Sequence, residues 1–444
     1  MKYFLFALTA FGVPPLTYLL TTNTRLMRYV VYAIMLALCK FQSTAINFFS
    51  HEDYHGSARG MEVSLIYLLS LTFIFVGIAK GKLRRIFPEA GYRLYALYFL
   101  LCLPSLANAE DRLISWLEIW KMMMVFVVYL AVYAYLRTTN DFKTIIKAFL
   151  LVIILNFFPV LDQHYFSARY QAHGLFPHWN CMAMALHLFG TILFARFLTH
   201  GTRTLFDKVC FVGFCIAILS TLWSYSRGAF LVMPISYGLT ALACMVYSDK
   251  KVFFRRMIPI AAVAAIGIVI IMPRVIARFV HAPQASTDTR VELAHCAWEM
   301  IKDKPMLGVG INNWSLKMDR ENYPYQTMAS DTMGYELTYK GIVETVYLLV
   351  GAECGIPALI AMVIWFLWYL YLCVRLLGRL RGTPWFFIPA GLLGGLTANY
   401  LQSILEWVLR QQMNLVCLVF MFATLAYLNT DWKRLVNGVD RKSP

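Results

Sequence analysis

Long apolar runs separated by short polar links dominate the chain. They fall at 29–47, 61–79, 92–106, 118–136, 144–161, 181–198, 206–224, 228–247, 257–273, 345–373, 386–404 and 413–429. A helix needs about 20 apolar residues to cross a hydrocarbon core, and none of these runs shows the two-residue alternation of a membrane strand. The pattern predicts an all-α integral membrane protein with about twelve transmembrane helices. A further apolar stretch, 3–20, carries Pro14 and Pro15, which disfavour a straight helix. With no A-x-A-like site after it, it reads as a retained membrane segment and not a removable signal peptide. A span, a re-entrant or interfacial helix, and a merger with the next segment all stay open for it. One polar piece breaks the rhythm. Residues 274–343 are far too many for a simple connection, and they include an amphipathic stretch from Arg290 to Ile301. A partly helical cap is expected there, between an N-terminal bundle, 1–273, and a C-terminal bundle with a short tail, 344–444.

Composition agrees. Hydrophobic residues make up 60% of the 444 residues and charged residues 14%, too few to cover a soluble protein of this size. The net charge of +16 is spread over short loops, as suits a chain lying against anionic lipid. Nucleic acid is not an expected partner, because no soluble basic face with interleaved aromatics is present. The ten cysteines lie mostly inside apolar runs without zinc-like spacing and read as small buried hydrophobes.

Charge then orients the bundle. Basic clusters at 80–93, 137–147, 196–208, 250–256, 375–381 and 433–442 mark the cytoplasmic loops. Against that assignment Arg59, Arg112, Lys121, Arg169, Arg227 and Arg290 fall on the opposite face. Cations kept where sorting disfavours them suggest an anionic ligand. Arg59 and Arg112 also have acidic neighbours for surface pairing, and Lys121, just inside a span, could snorkel to the interface.

Four pieces of the outer face stand out: His173–Leu186, Trp223–Leu231, Thr287–Trp314 and Val343–Ile360. They carry Gly174, Phe176 and Asn180; then Ser226, Arg227 and Gly228; then Arg290, Trp298, Pro305, Gly308 and Gly310; and last Tyr347, Leu348, Glu353 and Gly355. In this order they resemble the O-antigen ligase and O-antigen polymerase superfamily, whose members move glycans carried on undecaprenyl diphosphate. The resemblance covers about 170–360; before it the chain matches only as a pattern of spans. It implies a GT-C-like helical bundle in the bacterial inner membrane with its active site facing the periplasm. The implied donor is an undecaprenyl-diphosphate glycan and the implied acceptor is lipid A–core or another glycan, with membrane lipids as surroundings.

The chemistry can be read from the residues beside that resemblance. A departing diphosphate gathers charge, and arginine stays charged and forks onto phosphate oxygens. Arg227, opening a helix, adds exposed N–H groups and the favourable end of the dipole. Arg290 lies in the cap, where it could close over the same group. Arg59, Lys121 and Arg169 complete the candidate diphosphate-binding set. No Asp-x-Asp pair or His and carboxylate cluster has ligand-like spacing on this face, so neither metal nor cofactor is called for by the sequence. Relatives usually carry His-Asn-x-Tyr-Leu before the closing helix, whereas Glu344 and Thr345 occupy the first two positions here. Glu344 is therefore the candidate general base, and His173 is the fallback. Glu353, about two turns deeper, calls for a buried partner.

Overall fold

The computed structural model describes all residues except 1, 40, 52–53, 55, 84–88, 168, 248, 281–283, 319–322, 324–340 and 441–444. The helices are α1 (Lys2–Thr22), α2 (Met27–Cys39), α3 (Leu65–Ala79), α4 (Ala90–Cys102), α5 (Arg112–Thr139), α6 (Phe142–Leu161) and α7 (Trp179–His200). They continue with α8 (Leu205–Trp223), α9 (Arg227–Tyr247), α10 (Lys250–Val280), α11 (Gln284–Asp303), α12 (Val346–Arg379), α13 (Phe387–Gln402) and α14 (Gln412–Asp440). Among the described residues, ten helices are long and apolar enough to span a membrane. The chain is an all-α integral membrane protein.

Three expected spans are shorter than the pattern implied. Strands β1 (Ala45–Ser50) and β2 (Gly60–Ser64) pair antiparallel, with Asn47 opposite Glu62, and take residues that the hydrophobic runs assigned to spans. Helices α2 and α3 shrink accordingly. Helix α13 has only 16 residues but is buried on most sides, so it presents little length to lipid. The ambiguous first segment, α1, is helical throughout, prolines included, and most of its large side chains face outward.

The centre of the bundle is α7 and α14, whose apolar windows are each 89% buried. Helix α13 packs on α7 and α9 at backbone distance, because Gly391 faces the main chain of Ile192 and Gly394 that of Ser236. Small residues at such crossings let helices approach where lipid supplies no hydrophobic drive. At one end Arg196 pairs with Asp207 at 2.6 Å, and Arg137 pairs with Asp431. This is the end that bears the basic clusters. At the other end lie the starts of α5, α7, α9, α12 and α14, the hairpin, and α11 with its own small core of Leu293, Ala297, Met300, Val309 and Trp314. Helix α10 runs past the expected boundary at 273, to Val280, and carries Arg274 and Arg278 to that rim.

Candidate active site

A cleft of about 1100 Å³ opens at this end, lined by Arg59, Lys121, His173, Arg227, Arg290 and Glu344. Residues that are far apart in sequence therefore meet there. Of the candidates, Arg169 is absent from the lining, as is Arg112.

Arg227 is placed by a sharp reversal between α8 and α9. Tyr225 takes a left-handed conformation (φ 47°), Ser224 Oγ accepts from the Ser226 N–H, and Ser226 Oγ accepts from the Ala229 N–H at 3.2 Å. The serines thus satisfy donors at the turn and helix start and leave Arg227 as the first helical residue at the cleft. The strained carbonyl of Tyr225 accepts from Arg278 Nε at 3.3 Å and Gln171 Nε2 at 3.4 Å. Ala172 N–H donates to Trp223 O, which ties the His173 loop to the same turn.

That loop is shaped by Gly174, whose φ of 60° suits glycine. A Cβ there would collide with Asn156, whose Oδ1 accepts from Leu175 N–H at 2.8 Å. His173 has both ring nitrogens engaged: Arg169 Nη1 lies 3.0 Å from Nε2, and Phe176 O lies 2.6 Å from Nδ1. Arginine can only donate and a carbonyl can only accept, so Nδ1 carries the proton. Arg169 itself is exposed and reaches the cleft only through His173.

Arg290, on α11, faces two carboxylates. Its Nε contacts Glu344 Oε2, and its Nη2 lies 3.8 Å from Glu406 Oε1. The Glu344 side chain is 35% exposed, that of Glu406 only 9%. Burial raises the pKa of Glu344, opposed by Arg290 and Arg227. Burial, reinforced by the Glu344 charge, pushes Glu406 up to about 8, against Arg290, an Asn180 hydrogen bond and Arg227. His178 is held down to about 4 by burial, then by His173 and Arg290.

At the cleft floor lies a buried ion network. Lys121 Nζ sits 2.6 Å from Glu118 Oε2 and donates to the carbonyls of Ser57 (3.1 Å) and Arg410 (2.8 Å). All three ammonium donors are committed to the protein, so Lys121 is neither snorkelling nor free for a ligand. Arg410 Nε lies 3.1 Å from Glu118 Oε1, and its Nη2 lies 2.9 Å from Glu353 Oε2. Glu353 thus has the partner its depth requires. Arg59, by contrast, is exposed at the mouth of the cleft.

Two of the glycine motifs prove to be one joint. Helix α12 breaks at Gly355 (φ 83°, ψ 170°), which frees carbonyls at Ala352 and Glu353. Val309 and Gly310 N–H donate to them at 2.9 and 3.0 Å, and Ile356 N–H donates to Pro305 O at 2.8 Å. A Cβ on Gly308 would strike the main chain of Glu353, and one on Gly355 the main chain of Met306. Next along, Asn312 bonds Ala58 O and Ile114 O through Nδ2, binding this loop to the hairpin connection and to α5.

Aromatic residues of 274–343 could stack on sugar rings, but Trp314 is buried and donates to Gly341 O, and Tyr323 donates to Asp303 Oδ2. Trp298 is exposed; Tyr325 lies outside the described residues.

Residues 212–363 match a family model described as O-antigen ligase. The match shows similarity to that family over about a third of the chain. That segment holds Arg227, Arg290, Glu344 and the Gly308–Gly355 joint, and three of the four pieces that carry the ligase and polymerase resemblance. The hairpin, the His173 loop, Glu406 and Arg410 lie outside it. No curated protein matches the chain significantly.

Sequence reasoning missed Glu406, Arg410 and Arg278. The link between the last two spans, 405–412, lies on the outer face by the same alternation, and Arg410 breaks the sorting rule there as the six noted cations do. The signal was present but the link was too short to draw attention.

Proposed function

We propose that this chain is a periplasm-facing glycosyltransferase of the inner membrane. It transfers O-antigen polysaccharide from undecaprenyl diphosphate to a sugar hydroxyl of lipid A–core. The observation that carries the reading is the convergence of Arg227, Arg290 and Glu344 on one cleft at the end opposite the basic clusters. Residues 274–343 are taken as the cap over the bundle halves 1–273 and 344–444, with Arg290 on its closing face.

In this reading the acceptor hydroxyl attacks the anomeric carbon and gives its proton to Glu344. The new glycosidic C–O bond forms as the bond to the diphosphate breaks, and the electron pair leaves with undecaprenyl diphosphate. Direct displacement inverts the anomeric carbon. Arg227 and Arg290 take up the growing charge on the leaving group, helped by the N-terminus of α9. Preorganised cations of this kind do what a divalent ion does in other transferases, so transfer is expected to survive chelator. Glu344 starts out paired with Arg290, and the base is released when that guanidinium turns to phosphate. Arg59 flanks the mouth as an outer contact. Lys121 supports the floor, and Arg169 orients His173, which would serve as base only after releasing Arg169.

The polymerase reaction, adding one repeat unit to another on the carrier, uses the same donor chemistry. Purified protein given undecaprenyl-diphosphate glycan and rough lipopolysaccharide, with and without chelator, separates the cases. Product on lipid A–core supports the ligase, whereas elongation of the carrier-linked chain alone indicates the polymerase. Lipid flipping with no transfer to any acceptor would sink the enzyme reading in favour of a transporter.

A further inference from the structure

Glu406 has no role in the chemistry above, yet among the described residues it is the most enclosed carboxylate of the cleft. It lies in the link between α13 and α14, lines the cavity, and has Arg290 Nη2 as its cation at 3.8 Å. Arg290 is already in contact with Glu344, so two carboxylates share one guanidinium. The groups facing Glu406 come from every neighbouring element. Arg290 comes from α11, Glu344 from the lead into α12, and Arg227 from the start of α9. From α7 come Asn180, which hydrogen-bonds Glu406, and Cys181, whose thiol donates to Gln411 Oε1 at 2.7 Å. Arg410, four residues on, is turned away to Glu118 and Glu353.

A diphosphate entering this cleft brings further negative charge. If Arg290 turns to it, Glu344 and Glu406 lose their shared counter-ion, and two close carboxylates without one cannot both stay ionised. We propose that Glu406 is a proton-holding positioning residue: it carries a proton whenever the donor diphosphate is bound, which frees Arg290 for phosphate and leaves Glu344 as the single ionised base. Its deeper burial decides which of the two keeps the proton, since charge is least tolerated where water is scarcest. The direction of its pKa agrees, about 8 from burial first and the Glu344 charge second. His178, held to about 4, stays neutral and does not compete for this assignment. No covalent step is added; the proton comes from solvent when the donor binds and leaves with the product.

The inference rests on the donor-diphosphate reading, and its test reads binding, not turnover. Undecaprenyl diphosphate is the probe, added to purified protein in detergent from about pH 6 to about pH 9, spanning the pKa of a single raised carboxylate. Wild-type affinity should fall by up to roughly tenfold per pH unit once Glu406 ionises, the slope of one linked proton. Glu406→Gln, which mimics the protonated acid, should bind near neutrality within about threefold of wild type and lose the alkaline decline. Ionisation of the probe's own terminal phosphate is common to both proteins and cancels. As a second variant, Glu344→Gln removes the neighbouring charge, so the decline should move to lower pH. An unchanged decline in Glu406→Gln, or weak binding by folded Glu406→Gln at every pH, overturns the proposal. If Glu406→Gln does not fold, an unmoved decline in Glu344→Gln overturns it alone. Failure of wild type to bind the probe at any pH overturns the diphosphate reading itself, and the proposal with it.

Discussion

Replacing Arg410 by Met removes the guanidinium that holds two buried carboxylates, Glu118 and Glu353, at 3.1 and 2.9 Å. The side chains of all three are at most 5% exposed, so water cannot take over the lost contacts. With Lys121 the network is neutral, two cations against two anions. Met fills most of the volume but leaves one unmatched negative charge in the bundle. Breaking a buried pair from one side typically costs about 3–5 kcal/mol. That corresponds to roughly a 150- to 5,000-fold fall in the folded-to-unfolded ratio. The assay is survival of the monodisperse protein after graded heating in detergent. Arg410→Met should lose its chromatographic peak well below the wild-type temperature. The double variant Arg410→Met with Glu353→Gln restores neutrality, with Lys121 facing Glu118, and should recover most of the loss. A single variant as heat-resistant as wild type, or a double variant no better than the single, would refute the charge-balance argument.

Gly355→Ala puts a side chain at φ 83°, ψ 170°, where it meets the Met306 main chain. That backbone region costs a non-glycine residue about 1–3 kcal/mol before any collision, so lower heat resistance and lower transfer are expected together, read on the same preparation. The base must be ionised to act and burial raises Glu344, so transfer should climb with pH through the Glu344 pKa. In the wild type at sub-saturating donor, ionisation of Glu406 in the free protein near pH 8 then supplies the falling limb of a bell. Glu344→Gln should lose turnover at every pH while keeping donor binding; retained turnover would remove Glu344 as the base.

Much of the fold was readable because apolar length and charge sorting are strong constraints in a membrane. The hydrophobic runs located the helices, and the cations on the disfavoured face pointed to the end where the cleft lies. What the runs concealed was local. Residues 45–47 and 61–64 are apolar enough to pass as span ends, but they belong to strands that pair with each other in front of α5. Lys121 was visible as an anomaly, but its commitment to Glu118 and two carbonyls depends on contacts across the bundle. The glycines of 305–310 and Gly355 were recognisable only as separate motifs. Their meaning as two sides of one broken-helix joint needed the backbone. Glu406 was hidden by its setting in an eight-residue link, 405–412, where a single carboxylate looks like an ordinary surface group.

The central claim, that paired guanidiniums in this cleft drive departure of a glycan-bearing diphosphate, is tested most directly by measuring transfer from undecaprenyl-diphosphate glycan to rough lipopolysaccharide in wild type, Arg227→Ala and Arg290→Ala. Losing one preorganised charge-stabilising group typically lowers turnover by about 10²–10³, and such a loss is expected in each variant with heat resistance near wild type. Near-normal transfer by either folded variant would contradict the account.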